Sequence, residues 1–355
     1  VKQTIFSISG ALGVNRLFAA WTRHQPIVLT FHGVTSDRSR PLCNHEGLHL
    51  ESDLFERLMT HVAREYQPVP LSDIAAWLRG EGAAPDRAVA VTFDDGYHNV
   101  LTDAAPVLQR LGIPATLFVV TDFVFDGKML WTDRLVATLA LTRESALALP
   151  GLSSPLSLRD DAERIAADRA LLALLKPLPE ADRLARLQEI QSALKVADSQ
   201  LPAAWAGMRP LAPADLARLP GFGIEVGAHT CSHPIATRLT PERLRHELVE
   251  SKSRIEAATG RACTAFAYPN GGPDDFNAET RRAVHDAGYT CAVTTIKRRV
   301  THGDDALEIP RCTLTHNDVT LAEFAAEVSG LPGVLRSARR KLVPAGSARP
   351  APGGY

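Results

Sequence analysis

Ala88-Val89-Ala90-Val91-Thr92-Phe93-Asp94-Asp95-Gly96-Tyr97 is an apolar, β-branched run that stops at two adjacent carboxylates and a glycine. Residues 88–93 show no polar alternation, the pattern of a strand buried on both faces of a parallel sheet. Side chains alternate along an extended chain, so alternation predicts that Asp94 and Asp95 point to different sides. One can then hold a cation while the other faces a substrate. Gly96 permits a sharp turn after them. A bare Asp-Asp-Gly is more often a turn whose second acid caps a helix, so the pair needs partners elsewhere to count as chemistry.

Gly227-Ala228-His229-Thr230-Cys231-Ser232-His233-Pro234 supplies them. Two imidazoles four residues apart follow the short apolar run 222–226. Pro234 forces His233 away from helical geometry, so the pair sits in a loop and not on a helix. Imidazole nitrogens are good ligands for Zn²⁺ and similar ions, and one carboxylate completes a three-ligand set with open positions. Cys231, between the histidines, is read as a packing residue.

Outward from these motifs the chain alternates. Apolar strand candidates lie at 26–31, 88–93, 115–120, 223–227, 264–268, 289–294 and 309–313. Amphipathic segments at 53–65, 70–79, 102–111, 241–258 and 276–287 separate most of them. Thr240-Pro241 opens one helix with a cap and a first-turn proline, and Gly112 and Gly288 stand where two others end. Such repetition predicts an α/β fold, a distorted (β/α)7 barrel with catalytic residues gathered at the C-terminal strand ends.

Thr92-Phe93-Asp94-Asp95-Gly96, His229-Thr230-Cys231-Ser232-His233 and Phe266-Ala267-Tyr268-Pro269-Asn270-Gly271 together resemble the motifs of the NodB-homology polysaccharide deacetylases, carbohydrate esterase family 4. Gly112 to Val119 and Ile309-Pro310-Arg311 are similar to two further strands of that family, and the resemblance runs over residues 25–330. It implies that Asp95, His229 and His233 hold a divalent metal, foremost Zn²⁺, and that Asp94 is the base. Ile27-Val28-Leu29-Thr30-Phe31-His32 is similar to the circularly permuted exopolysaccharide branch, in which this strand comes first and its histidine is the general acid. His316 is the rival for that role. The family's usual arginine near the third motif is missing, and Arg311 takes its place as the partner that orients Asp94. Tyr268, Pro269, Asn270 and Trp131 are the implied substrate contacts, with an oxyanion donor expected from backbone N–H near Tyr268.

Composition sets bounds. A chain of 355 residues with 45% hydrophobic content can bury one large core, and a formal charge of −1 gives no electrostatic basis for a nucleic-acid partner. Five scattered cysteines argue against a closed disulfide framework. The expected organisation is an amphipathic segment over 1–25, a deacetylase domain over 26–330 with a helical insertion at 127–222, and a disordered basic tail over 331–355. The insertion carries leucines at helical spacing from Leu171 to Leu194. No segment reads as a spanning helix or a convincing signal peptide, so the expected setting is cytoplasmic or membrane-peripheral.

The function expected on this reading is metal-dependent removal of N-acetyl groups from a glycan or lipid-linked amino sugar. Two alternatives remain open at this point. One is the same chemistry on an O-acetyl ester or small cyclic amide, and the other is a non-catalytic carbohydrate-binding scaffold.

Overall fold

The computed structural model describes residues 14–37, 42–83, 86–201, 208–313 and 319–331. Twelve strands occur among them: β1 Ile27–Phe31, β2 Gly33–Thr35, β3 His49–Glu51, β4 Gln67–Pro68, β5 Ala88–Phe93, β6 Ala115–Val119, β7 Ala146–Leu147, β8 Leu156–Ser157, β9 Ile224–Ala228, β10 Ala265–Ala267, β11 Cys291–Val293 and β12 Cys312–Thr313. The main sheet runs β11-β10-β9-β6-β5-β1-β12, with β4 flanking the start of β5. Every pairing in it is parallel.

The sheet curls until its ends meet. Ile309, just ahead of β12, bridges Val293 of β11 in parallel register. Its N–H donates to Ala292 O at 2.8 Å, and its carbonyl accepts from Thr294 N at 2.9 Å. The segment 309–313 therefore joins β11 to β1 and closes a seven-stranded ring, with first and last strands adjacent. Of the seven strand candidates read from the sequence, each overlaps a strand of the ring. The sequence reading missed β4 and the small β2–β3 and β7–β8 pairs.

Alternation along the strands sorts side chains into two clusters. Ile27, Leu29, Phe31, Val89, Val91, Phe93, Leu117 and Val119 join the outer core, packed against helices such as Ser52–Glu65. Val28, Ala88, Ala90, Phe118, Ala265, Ala267 and Cys291 turn the other way, into a separate cluster with the Leu71–Leu78 helix. Mostly small inward residues suit a narrow ring. Gly227 belongs to this logic. A Cβ there would lie 2.5 Å from Cδ1 of Phe118 and 2.9 Å from the carbonyl of Ala265.

The insertion packs around a second core, built from the helices Trp131–Leu141, Asp161–Leu175 and Glu180–Ala193 and from Met208, with Tyr97, Val120 and Phe123 joining it from the barrel. Leu211, Leu216 and Leu219 pack into the outer core of the ring instead. The chain thus rejoins the barrel earlier than the 127–222 boundary expected from the sequence. The Val14–Trp21 helix meets the other end of the described chain, where Thr22 Oγ1 donates to Ser329 O at 3.0 Å. Residues 1–13 and 332–355, which carry most of the expected N-terminal segment and basic tail, lie outside the described residues.

Candidate metal centre

The inward register continues past the strand ends. Ala88, Ala90 and Thr92 lead to Asp94, and Val28 and Thr30 lead to His32. Ile309 leads to Arg311, and Gly227 leads to His229. Four strands thereby bring a carboxylate, two imidazoles and a guanidinium to the same mouth.

Asp94 and Asp95 are separated by a turn and not by strand alternation as expected. The strand ends at Phe93, and Asp95 takes a left-handed φ of 74°, followed by Gly96 at 100°. Thr230, His233 and Asn270 are also left-handed, with φ of 68°, 59° and 58°. Four of the six non-glycine residues with positive φ among the described residues thus lie around this mouth. Strain of this kind persists only where surrounding structure holds it, and it concentrates at functional sites.

Asp95 Oδ1 lies 3.7 Å from His229 Nε2 and 3.6 Å from His233 Nε2. All three residues are buried. His229 donates from Nδ1 to the carbonyl of Ala267 at 2.8 Å, which leaves the Nε2 lone pair facing Asp95. Asp95 Oδ1 is buried without a hydrogen-bond partner. Burial first, then the charges of Asp94 and Asp133, raise its carboxyl well above the ordinary range. Burial likewise keeps both histidines neutral. An orphaned carboxylate oxygen among acids, faced by two bare imidazole nitrogens, fits a divalent cation. The spacings suit donor atoms that share one ion at about 2 Å from each.

Arg311 closes on Asp94 in a two-bond fork, Nη1 to Oδ1 at 2.8 Å and Nη2 to Oδ2 at 2.7 Å. Its Nε donates to Thr294 O at 2.9 Å and its Nη1 also to Thr92 Oγ1 at 3.2 Å. Burial alone would raise Asp94, but Arg311, His229 and His32 outweigh it and hold the carboxyl at about 2. His32 is pulled down to about 4, by burial above all, and its Nδ1 has no partner. His316 falls within 314–318, outside the described residues.

The histidine loop is pinned by Glu247 of the Pro241–Thr259 helix, a residue with no exposed surface. Its Oε2 accepts from Cys231 N at 2.7 Å and Ser232 N at 3.0 Å, and its Oε1 accepts from Ser232 Oγ at 2.8 Å. Cys231 is buried beside it and its thiol is pushed up to about 12, by burial first. His49 is a second residue the sequence reading missed. It is buried against the Tyr97 ring and paired with Asn99 at 2.8 Å, and burial first, then the charge of His32, lower its pKa to about 3.

The implied substrate contacts divide. Tyr268 is a core residue: its ring is 1% exposed and stacks on Phe276, and its hydroxyl donates to Leu307 O at 3.1 Å. Its own N–H donates to Val293 O at 3.1 Å, so the oxyanion donor expected near Tyr268 is not this N–H. Pro269 is buried. Asn270 Nδ2 and Trp131 Nε1 are buried donors without a partner.

The polysaccharide deacetylase family profile matches residues 81–149 and 188–292, which carry both acids and both histidines. This chain belongs to the polysaccharide deacetylase family. A poly-β-1,6-N-acetyl-D-glucosamine N-deacetylase of Escherichia coli is 38% identical over 74 residues, 20% of this chain and only 11% of that protein. Among solved structures, IcaB of Ammonifex degensii superposes with a TM-score of 0.55 at 17% identity, covering 86% of this chain and 97% of that one. The deacetylase PplD of Streptococcus pyogenes, in complex with acetate, gives 0.54 at 15% identity, covering 86% and 98%. At these identities the two structures speak for the shared barrel. The gap between the two matched stretches of the profile, 150–187, falls in the insertion. Among the described residues no helix is long and apolar enough to cross a membrane.

Proposed function

We propose that this polysaccharide deacetylase is a metal-dependent hydrolase that removes N-acetyl groups from a glycan or a lipid-linked amino sugar and releases acetate. The observation that carries the reading is the orphaned Asp95 Oδ1 between two bare imidazole nitrogens, beside the forked Asp94–Arg311 pair. Asp95, His229 and His233 would hold the ion, foremost Zn²⁺. When bound, it supplies Lewis acidity toward the attacking water and the acetamide carbonyl.

The chain's own groups do the rest. Arg311 keeps Asp94 ionised and fixes its plane, so Asp94 is the base that takes a proton from water. His32 enters the reaction neutral and unpartnered at Nδ1. As negative charge grows on the substrate, His32 becomes basic enough to take up the proton that Asp94 has removed from water, and as imidazolium it passes that proton to the departing amine. Glu247 and the Ala267 carbonyl hold the histidine loop and the His229 tautomer in place. Asn270 Nδ2 and Trp131 Nε1 offer buried donors to the sugar.

The test is acetate release from a panel of N-acetylated oligosaccharides, lipid-linked acetamido sugars and O-acetylated glycans. Release from the amide substrates, abolished in Asp94→Asn, supports the reading. Release from O-acetyl esters alone would overturn it.

A further inference from the structure

One buried cation takes no part in the chemistry above. Arg183, on the insertion helix Glu180–Ala193, is 1% exposed, and its Nε and Nη1 have no hydrogen-bond partner. Its guanidinium carbon lies 5.1 Å from the ring centroid of Trp131, whose indole N–H is also buried and unpartnered. Glu180, one turn earlier, acts on Arg183 through its charge but gives its oxygens to others, with Oε2 3.4 Å from Arg243 Nε and Oε1 3.4 Å from Ser232 Oγ. A buried arginine cannot shed its proton to escape the cost of burial, so it requires an acceptor.

The position ties this cation to the metal centre. Ser232, which meets Glu180, immediately precedes the ligand candidate His233. Trp131 opens the helix whose Asp133 accepts the Tyr97 hydroxyl at 2.7 Å, two residues beyond Asp95. The insertion thus presents two unpartnered donor groups, one of them a fixed cation, beside the catalytic mouth.

We propose that Arg183, with the indole N–H of Trp131, binds an anionic oxygen group carried by the acetylated sugar, so that the chain prefers acidic glycans to neutral ones. This rests on the deacetylase reading above and specifies its substrate class. A neutral hydroxyl would satisfy one hydrogen bond on Nε or Nη1, whereas a carboxylate or phosphate adds charge to the acceptor and can take both, and the planar guanidinium suits either.

The experiment compares three N-acetylglucosamine substrates of matched size: a neutral oligosaccharide, one alternating with glucuronate, and one bearing a phosphodiester. In the wild-type chain, kcat/KM for one of the two acidic substrates should exceed that for the neutral one by about tenfold or more, the effect of a charge-assisted hydrogen bond. The arm that shows it tells carboxylate from phosphate. Arg183→Gln should bring the ratio close to one, chiefly through KM, and Arg183→Lys should keep part of it. Calorimetric binding of the same sugars to Asp94→Asn gives a readout without turnover. If no substrate releases acetate the deacetylase reading fails, while the binding preference still decides the role of Arg183. Equal or weaker handling of both acidic substrates by the wild-type chain overturns the proposal, even if the Gln variant does not fold. An acid preference undiminished in a folded Arg183→Gln overturns it as well.

Discussion

Arg311 and Asp94, 217 residues apart, are joined by two hydrogen bonds of 2.8 and 2.7 Å with no exposed surface on the guanidinium. Geometry of this kind is strong because both partners are charged and the fork matches the carboxylate. It also ties the last strand of the ring to the acid pair at the end of β5. Two parts of the chain that share no local sequence signal act as one group.

Removing the guanidinium should destabilise the fold and change its pH response. Asp94 titrates at about 2 against an ordinary 3.8. Its pairing therefore contributes about 2 kcal/mol, present above 3.8 and lost as pH falls toward 2. In Arg311→Met the largest influence, burial, stands unopposed by that fork, and the carboxyl takes up a proton at higher pH. The variant should lose roughly 3–5 kcal/mol at pH 7 and less at about pH 5, where protonation relieves the buried charge. Denaturant unfolding at both pH values checks this, and equal losses would count against the pairing.

The three ligand candidates should fail together. Asp95→Ala, His229→Ala and His233→Ala are each expected to abolish stoichiometric zinc by elemental analysis, along with acetate release. Asp94→Asn should keep the metal and lose turnover. Cys231→Ser should keep both, since its thiol is buried and held at about 12. Loss of metal from Asp94→Asn as complete as from Asp95→Asn would show the two acids share one role.

His32 can be separated from the metal by the leaving group. An amine needs a proton to depart, whereas an activated aryl acetate does not. His32→Ala should therefore slow acetamide hydrolysis by roughly 10²–10⁴-fold and spare much of the aryl acetate activity. An unchanged acetamide rate, with a collapse in His316→Ala, would transfer the role to His316.

Glu247 tests whether the histidine loop is held from behind. Glu247→Gln removes the charge that Cys231 N, Ser232 N and Arg243 share. Zinc affinity should fall about 10–100-fold, as for other supporting groups around metal ligands. Calorimetric titration of the metal-free chain reads this directly, and an unchanged affinity would make the clamp purely structural.

The ring was legible because its signals are local. Apolar runs at 88–93 and 115–119, the Thr240-Pro241 helix start and the Gly112 stop each follow from backbone preference and burial over a few residues. The acids and the two histidines were legible for the same reason, since each motif lies within one strand end. The insertion was legible as helical, but not its limit near Met208, because periodicity does not tell which core a leucine joins.

What the chain's order of residues determined by itself is which side chains reach the mouth of the ring. Inward register carries His32, Asp94, His229 and Arg311 there whatever lies around them. Only the tertiary structure decided which hydrogen bonds those groups have left to give. Tyr268 reads as a substrate contact until Val293 and Leu307 take its N–H and hydroxyl, and burial of Arg183 leaves its Nε and Nη1 without a hydrogen-bond partner. Saturation of a polar group depends on neighbours from distant strands and helices, and sequence spacing does not carry that information.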